Sequence, residues 1–247
     1  MTAASAGTAS CLPCWRATRR QWTSEIQVRY NGLQLVIGLA VRKLDDPWFN
    51  RFHDALVLGA IREDVTWMPR RRKIREHWSL SHFSGRHLGG GFIPFLTASA
   101  PAKAQDYVDR AVTAWRAGQH ARAFVQLGMA SHLVIDMACP VHASRVAHLT
   151  DGYEWYVEAN GAQLAALPFD VPHQYASAHD AAAGLAAFTQ RFAPDRTNHH
   201  WGRLLKRLGL RRSLTRAEFA AQAEHIIPTA AGHLAAVYLT FIEATRS

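Results

Sequence analysis

Residues 119–146, "QHARAFVQLGMASHLVIDMACPVHASRV", decide the fold. Between Ala121 and Ala138 apolar residues recur at three- and four-residue spacing, the mark of a helix. Pro140 must end it, because proline offers no N–H and biases the residue before it away from helix. His132 and Asp136 are four apart, so their side chains leave one face about one turn apart. His142 follows six residues after Asp136, beyond the Cys139-Pro140 break, where the chain can turn back toward the same place. A helix this apolar ordinarily excludes groups that are costly to desolvate. For a lone His-x3-Asp pair a satisfied core histidine is the commoner outcome. Here His142, His148 and Glu154 follow the pair. A bound dication would supply the counter-charge for all of them, and imidazole with carboxylate suits Zn²⁺.

Outward from this stretch the pattern stays helical. Apolar stripes run through 33–44, 48–64 ("WFNRFHDALVLGAIRED"), 102–119, 152–167 and 176–192, and 215–245 holds one or two helices more. Val and Ile nowhere alternate with polar residues over a strand length, and no repeat is sustained. The expected architecture is all-α, a single-domain multi-helix bundle over residues 25–247 that follows a loosely ordered segment at 1–24. Residues 65–101 read as a long loop rich in Gly, Pro, His and Arg. Loops of that length in compact domains are functional or disordered, and the aromatic residues here favour a site wall. His199, His200 and Trp201 read as a polar loop.

The chain of 247 residues carries a formal charge of +9, with basic clusters at 70–73 and at Arg203, Lys206, Arg207, Arg211 and Arg212. Such a surface favours anionic partners, phospholipid headgroups or nucleic acid, although a solvated basic face explains most single runs. Three cysteines make no disulfide framework; "CLPC" at 11–14 lacks the second pair of a zinc ribbon, and Cys139 reads as a small core residue. The N-terminus shows no apolar stretch ahead of a small-residue cleavage site, and "LQLVIGLAV" is too short to span a bilayer. The residues predict no transmembrane segment.

The stretch at 119–146, followed by "YEWYV", resembles the metal-binding core of the bacterial zinc-dependent phospholipase C family, whose pattern is LGxxxHxxxD, then PxH, then a His and a Glu on the next helix. "LGAIRED" resembles the family segment that supplies an aspartate, here Asp64; "LSHF", followed by "FIPF", resembles the one that supplies a histidine, here His82. The resemblance covers about residues 30–245. It implies an all-α fold and one zinc held by Asp64, His82, His132 and Asp136. A second zinc would take His142 and Glu154, and His148 would fill the place where Thr150 stands at the family histidine. The family's third zinc uses an N-terminal tryptophan and a first-helix histidine, and "RYNGLQL" occupies the latter's place. Two zinc ions are therefore expected.

The implied reaction is phosphodiester hydrolysis, with cleavage of phospholipids to diacylglycerol and a phosphorylated headgroup. Asp64 is the first candidate to orient or deprotonate water and Glu63 the second. Trp67, Trp78, Phe83 and Arg86 are candidates for substrate contact. The superfamily also contains zinc-dependent single-strand nucleases, and stacking aromatics with basic charge suit that alternative. A third reading is a non-catalytic helical protein that keeps one structural zinc. Family members are typically secreted while the visible N-terminus does not support export, so the compartment, secreted or cytoplasmic, stays open.

Overall fold

The computed structural model describes residues 31–68, 73–76, 82–84, 98–146, 151–172, 175–197 and 200–246. The segment 1–24, with Cys11 and Cys14, lies outside them.

The first helix, α1 (Asn31–Leu44), is followed by α2 (Pro47–Arg51) and α3 (His53–Asp64). Asp46 starts α2: its carboxylate accepts from the Trp48 and Phe49 N–H groups, and Pro47 supplies a preset φ at the first position. The single helix expected over 48–64 is therefore two, broken at Phe52. Next come α4 (Ala100–Arg116), capped by the Ser99 hydroxyl, and α5 (His120–Asp136). Gly118, at φ +73, ends α4, with Gly118 N–H donating to Trp115 O and Gln119 N–H to Ala114 O, and the chain reverses directly into α5.

After α5 come α6 (Pro140–Ala143), α7 (Gly152–Ala159), α8 (Gly161–Leu164), α9 (Ala178–Thr189), α10 (His200–Arg207) and α11 (Arg216–Arg246). His200 and Trp201, expected in a polar loop, instead open α10. Within the long 65–101 segment β1 (Val65–Met68) pairs antiparallel with β2 (Lys73–Glu76), Val65 opposite Glu76. This hairpin decorates an otherwise all-α fold.

Helix α5 is the centre. Phe124, Leu127, Ala130, Leu133 and Val134 point to more than one side and are all fully buried, as expected of a helix with neighbours around it. Its most extensive contacts are with α4 and α3. Helix α11 backs it: the Tyr238 hydroxyl donates to Ser131 Oγ (2.8 Å), while that hydroxyl donates to Leu127 O. Among the described residues α11 alone has the length and apolarity to cross a membrane, but 72% of its apolar stretch is buried inside the fold.

The crossing of α3 over α5 is glycine against glycine. A Cβ on Gly59 would lie 2.1 Å from Val125 O, and one on Gly128 would lie 2.0 Å from Leu56 O. Only hydrogen fits at either place, so the two backbones touch. This contact brings the C-terminal turn of α3, with Glu63, toward the last turns of α5, with His132 and Asp136.

Candidate metal centre

Three side chains converge at the end of α5. His82 Nδ1 lies 2.7 Å from Asp136 Oδ2, and His132 Nε2 lies 3.5 Å from the same oxygen. The donor atoms of His82, His132 and Asp136 fall within 4.8 Å of one another, and all three residues are buried. Burial alone would raise the Asp136 carboxyl, but His132, His82 and His142 together hold it well below the usual carboxylate range. A buried carboxylate kept ionised and ringed by imidazoles fits a dication; ligands on one tetrahedral zinc stand roughly 3.3–3.8 Å apart.

A second group forms where the chain turns after α5. Cys139, His142 and Glu154 place their donor atoms within 4.8 Å of one another, with His142 Nε2 3.5 Å from Glu154 Oε1. His142 Nδ1 is 3.0 Å from the His82 carbonyl; donation to that acceptor puts the ring proton on Nδ1 and leaves Nε2 facing Glu154. Cys139 Sγ donates to Asp151 Oδ2 (2.8 Å), and Asp151 also starts α7 by accepting from Tyr153 N–H. This group is rich in negative charge. Burial and then Glu154 push the Asp151 carboxyl up to about 6, and burial and then Asp151 push the Cys139 thiol well up. Burial would lower His142, yet Asp136, Glu154 and Asp151 outweigh it and raise it to about 9. A metal cation there would relieve the crowding of carboxylates and thiol.

The two groups are tied together. The His82 segment is fastened to α6 through Ser84 N–H to His142 O (3.4 Å) and Ser84 Oγ to Ala143 O (2.5 Å). Gln190, just past α9, donates to the same Ala143 carbonyl at 2.8 Å. Arg145, in the left-handed region at φ +57, turns the chain away after α6.

Two residues of each group, His132 with Asp136 and Cys139 with Glu154, line a cavity of about 130 Å³. Glu158 and Tyr153 complete its polar wall; Leu33, Val36 and Val157 are on its apolar wall. The Glu154 side chain is 44% exposed, which keeps the mouth open to solvent.

The structure thus brings together His82, His132 and Asp136, and His142 with Glu154. Phe83 is half-buried, with its ring centroid 5.2 Å from that of His142. Asp64 ends α3 and Trp67 lies on β1, but their side chains are outside the described residues, as are Trp78, Arg86 and His148 entirely. Glu63 is not placed as a base. Its buried carboxylate accepts from the Lys103 ammonium through Oε1 and from the Tyr107 hydroxyl through Oε2 (2.7 Å), and Oε1 lies 4.0 Å from His82 Nε2. Both oxygens are engaged, so Glu63 steadies the His82 side of the group. Cys139 packs in the core, as expected, and there also joins the second group, with Asp151 as the acceptor of its thiol. Cys139 stands three residues after Asp136 and three before His142, at the extended residue between α5 and α6.

A family model described as zinc dependent phospholipase C matches residues 33–206. The structure of alpha toxin from Clostridium absonum superposes with a TM-score of 0.60 at 15% identity, covering 89% of this chain and 64% of that one. The alpha-toxin of Clostridium perfringens, isolated from an avian strain, gives a TM-score of 0.50 at 12% identity, covering 89% and 63%. This chain therefore spans a little under two thirds of either toxin, and at such identities the likeness is one of fold. No curated protein sequence matches it.

Proposed function

This chain belongs to the zinc-dependent phospholipase C family, and on that premise we propose that it is a phosphodiester hydrolase that cleaves phospholipids to diacylglycerol and a phosphorylated headgroup. The observation that carries the reading is the pair of three-donor groups flanking one cavity. His82, His132 and Asp136, with Asp64 completing the set, would hold one zinc; His142, Glu154 and Cys139 would hold the other. Zinc in such a site supplies Lewis acidity at a phosphoryl oxygen and lowers the pKa of water toward neutrality.

The residues of the chain do the rest. Asp136, kept ionised by its histidines, holds negative charge at the junction of the two groups. The His82 carbonyl fixes the His142 tautomer, and Glu63, itself pinned by Lys103 and Tyr107, limits the swing of His82. Leu33, Val36 and Val157 give the glycerol side of a phospholipid a dry wall, and the open mouth at Glu154 leaves room for a polar headgroup.

Zinc-loaded protein is expected to release diacylglycerol from phosphatidylcholine vesicles or micelles, to lose that activity in chelator and to regain it on adding zinc. Loaded protein inert on every phospholipid, yet degrading single-stranded DNA or RNA, would move the reading to the nuclease alternative that the +9 charge favours.

Cys139 as a ligand gives a separate expectation. Cobalt-loaded protein should show a near-ultraviolet thiolate-to-metal charge-transfer band that vanishes in Cys139→Ser, with about one metal fewer bound per chain. An unchanged metal count and no band in the parent would return Cys139 to the core and leave the place to His148.

A further inference from the structure

Helix α10 makes none of the fold's extensive helix–helix contacts. One side of it packs on the chain that flanks it: a Cβ on Gly202 would lie 2.0 Å from Arg196 O, and Lys206 Nζ donates to Ser213 Oγ at 2.6 Å. On a helical wheel the opposite side carries Leu204 and Leu208, a turn apart, with Arg203 and Arg207 together along one edge of them. Leu204 is 43% exposed and Leu208 61%. The helix ends in a turn in which Gly209, at φ +71, donates to Lys206 O and Leu210 N–H donates to Leu205 O. A residue in the Leu210 position normally folds back on the last helical turn. Leu210 instead remains 70% exposed, followed by exposed Arg211. Of the five large hydrophobic residues exposed among the described ones, three stand on these seven positions. Arg212 is paired with Glu218, whereas Arg203, Arg207 and Arg211 face outward with no carboxylate in ion-pair range among the described residues.

We propose that residues 203–211 dock the protein on anionic phospholipid bilayers: Leu204, Leu208 and Leu210 enter the boundary between headgroups and acyl chains, while Arg203, Arg207 and Arg211 meet lipid phosphates. Charge complementarity chooses the occupant. Leucines edged by arginines disfavour a second copy of the same surface through like charge, and a nucleic-acid groove has no use for three exposed leucines; a bilayer satisfies both chemistries at one depth. The inference rests on the phospholipid reading above, to which it adds the surface that delivers the protein to its substrate.

The test is flotation of the zinc-loaded chain with vesicles of phosphatidylcholine, with and without phosphatidylglycerol, at low and high salt. Two variants are compared, Leu204→Ser/Leu208→Ser/Leu210→Ser and Arg203→Gln/Arg207→Gln/Arg211→Gln, with circular dichroism confirming the parental fold. Each is expected to weaken vesicle binding roughly tenfold or more. The arginine variant should also lose the salt dependence, and both should retain parental turnover of a monomeric short-chain phospholipid. Unchanged vesicle binding in the leucine variant overturns the proposal. So does a shift from dimer to monomer in that variant by sedimentation with vesicle binding intact, which would assign the leucines to a second copy. Loss of single-stranded DNA binding alone in the arginine variant would assign the surface to nucleic acid and likewise overturn it. A chain inert on all phospholipids whose vesicle binding still falls in both variants would sink the hydrolase reading and leave the docking surface standing.

Discussion

Gly128→Val is expected to lower the melting temperature by about 10 °C or more and to reduce zinc content in the protein that remains folded. The first added carbon would sit 2.0 Å from Leu56 O, 2.9 Å from Ala60 N and 2.9 Å from Gly59 Cα, all main-chain atoms of α3 that no rotamer change can move. The helices must therefore separate, opening the centre of the core. Overpacking of this kind costs about 3 kcal/mol or more, a large part of a typical net stability of about 5–15 kcal/mol. Separation also carries Glu63 away from His82 and the α3 terminus away from Asp136, so the metal site loosens along with the fold. Gly38→Ala is the control: nothing lies within 4 Å of an added carbon there, so filling a helical glycine in α1 should leave stability unchanged or raise it by about 0.5–1 kcal/mol. Thermal melts with metal analysis check both. A Gly128→Val protein that melts with the parent would mean that the crossing is looser than described.

Asp136→Asn is expected to reduce activity to background and weaken zinc binding by more than about 100-fold, beyond the loss typical of removing a supporting outer partner. It replaces the one buried anion that His82, His132 and His142 all face, with almost no change in shape. Packing survives, so failure to bind zinc would not be a failure to fold. Metal-free protein adds an independent readout. Because the folded Asp136 carboxyl is held below its ordinary value of 3.8, it contributes stability above that pH and loses it as pH falls toward the folded value. The Asn variant lacks that contribution, so in chelator its stability should fall less steeply below about pH 4 than the parent's. Parallel acid curves, or full zinc occupancy in the variant, would remove Asp136 from the centre.

Much of this was legible in the residues, for identifiable reasons. Helix α5 announces itself through apolar spacing, and His132, Asp136 and His142 stand out because polar groups in such a run need a partner. The breaks at Phe52 and Asn160 were not legible, since the apolar pattern runs straight through both. The partners of Glu63 could not be read either: Lys103 and Tyr107 are forty and forty-four residues away and meet it only through the packing of α3 and α4 onto α5. Cys139 is buried in the core as its apolar run suggests, and its place beside His142 and Glu154 was not legible. What the spacing could not show is Asp151, which the chain brings back to its thiol twelve residues later. The two glycines were visible as letters in "LGAIRED" and "LGMASH", but their mutual contact is a property of the crossing alone.

The bond between His142 Nδ1 and the His82 carbonyl joins a donor of one group to the backbone that carries a donor of the other. Ordering either group therefore lowers the entropy left to lose at its neighbour. In the proposed two-zinc centre metal uptake would therefore be a linked process in which the first ion raises the affinity for the second, the coupling being the same in whichever order the ions arrive. Such a centre would fill and empty as a unit, so that across a range of zinc supply the protein would pass from empty to complete with few half-loaded molecules between.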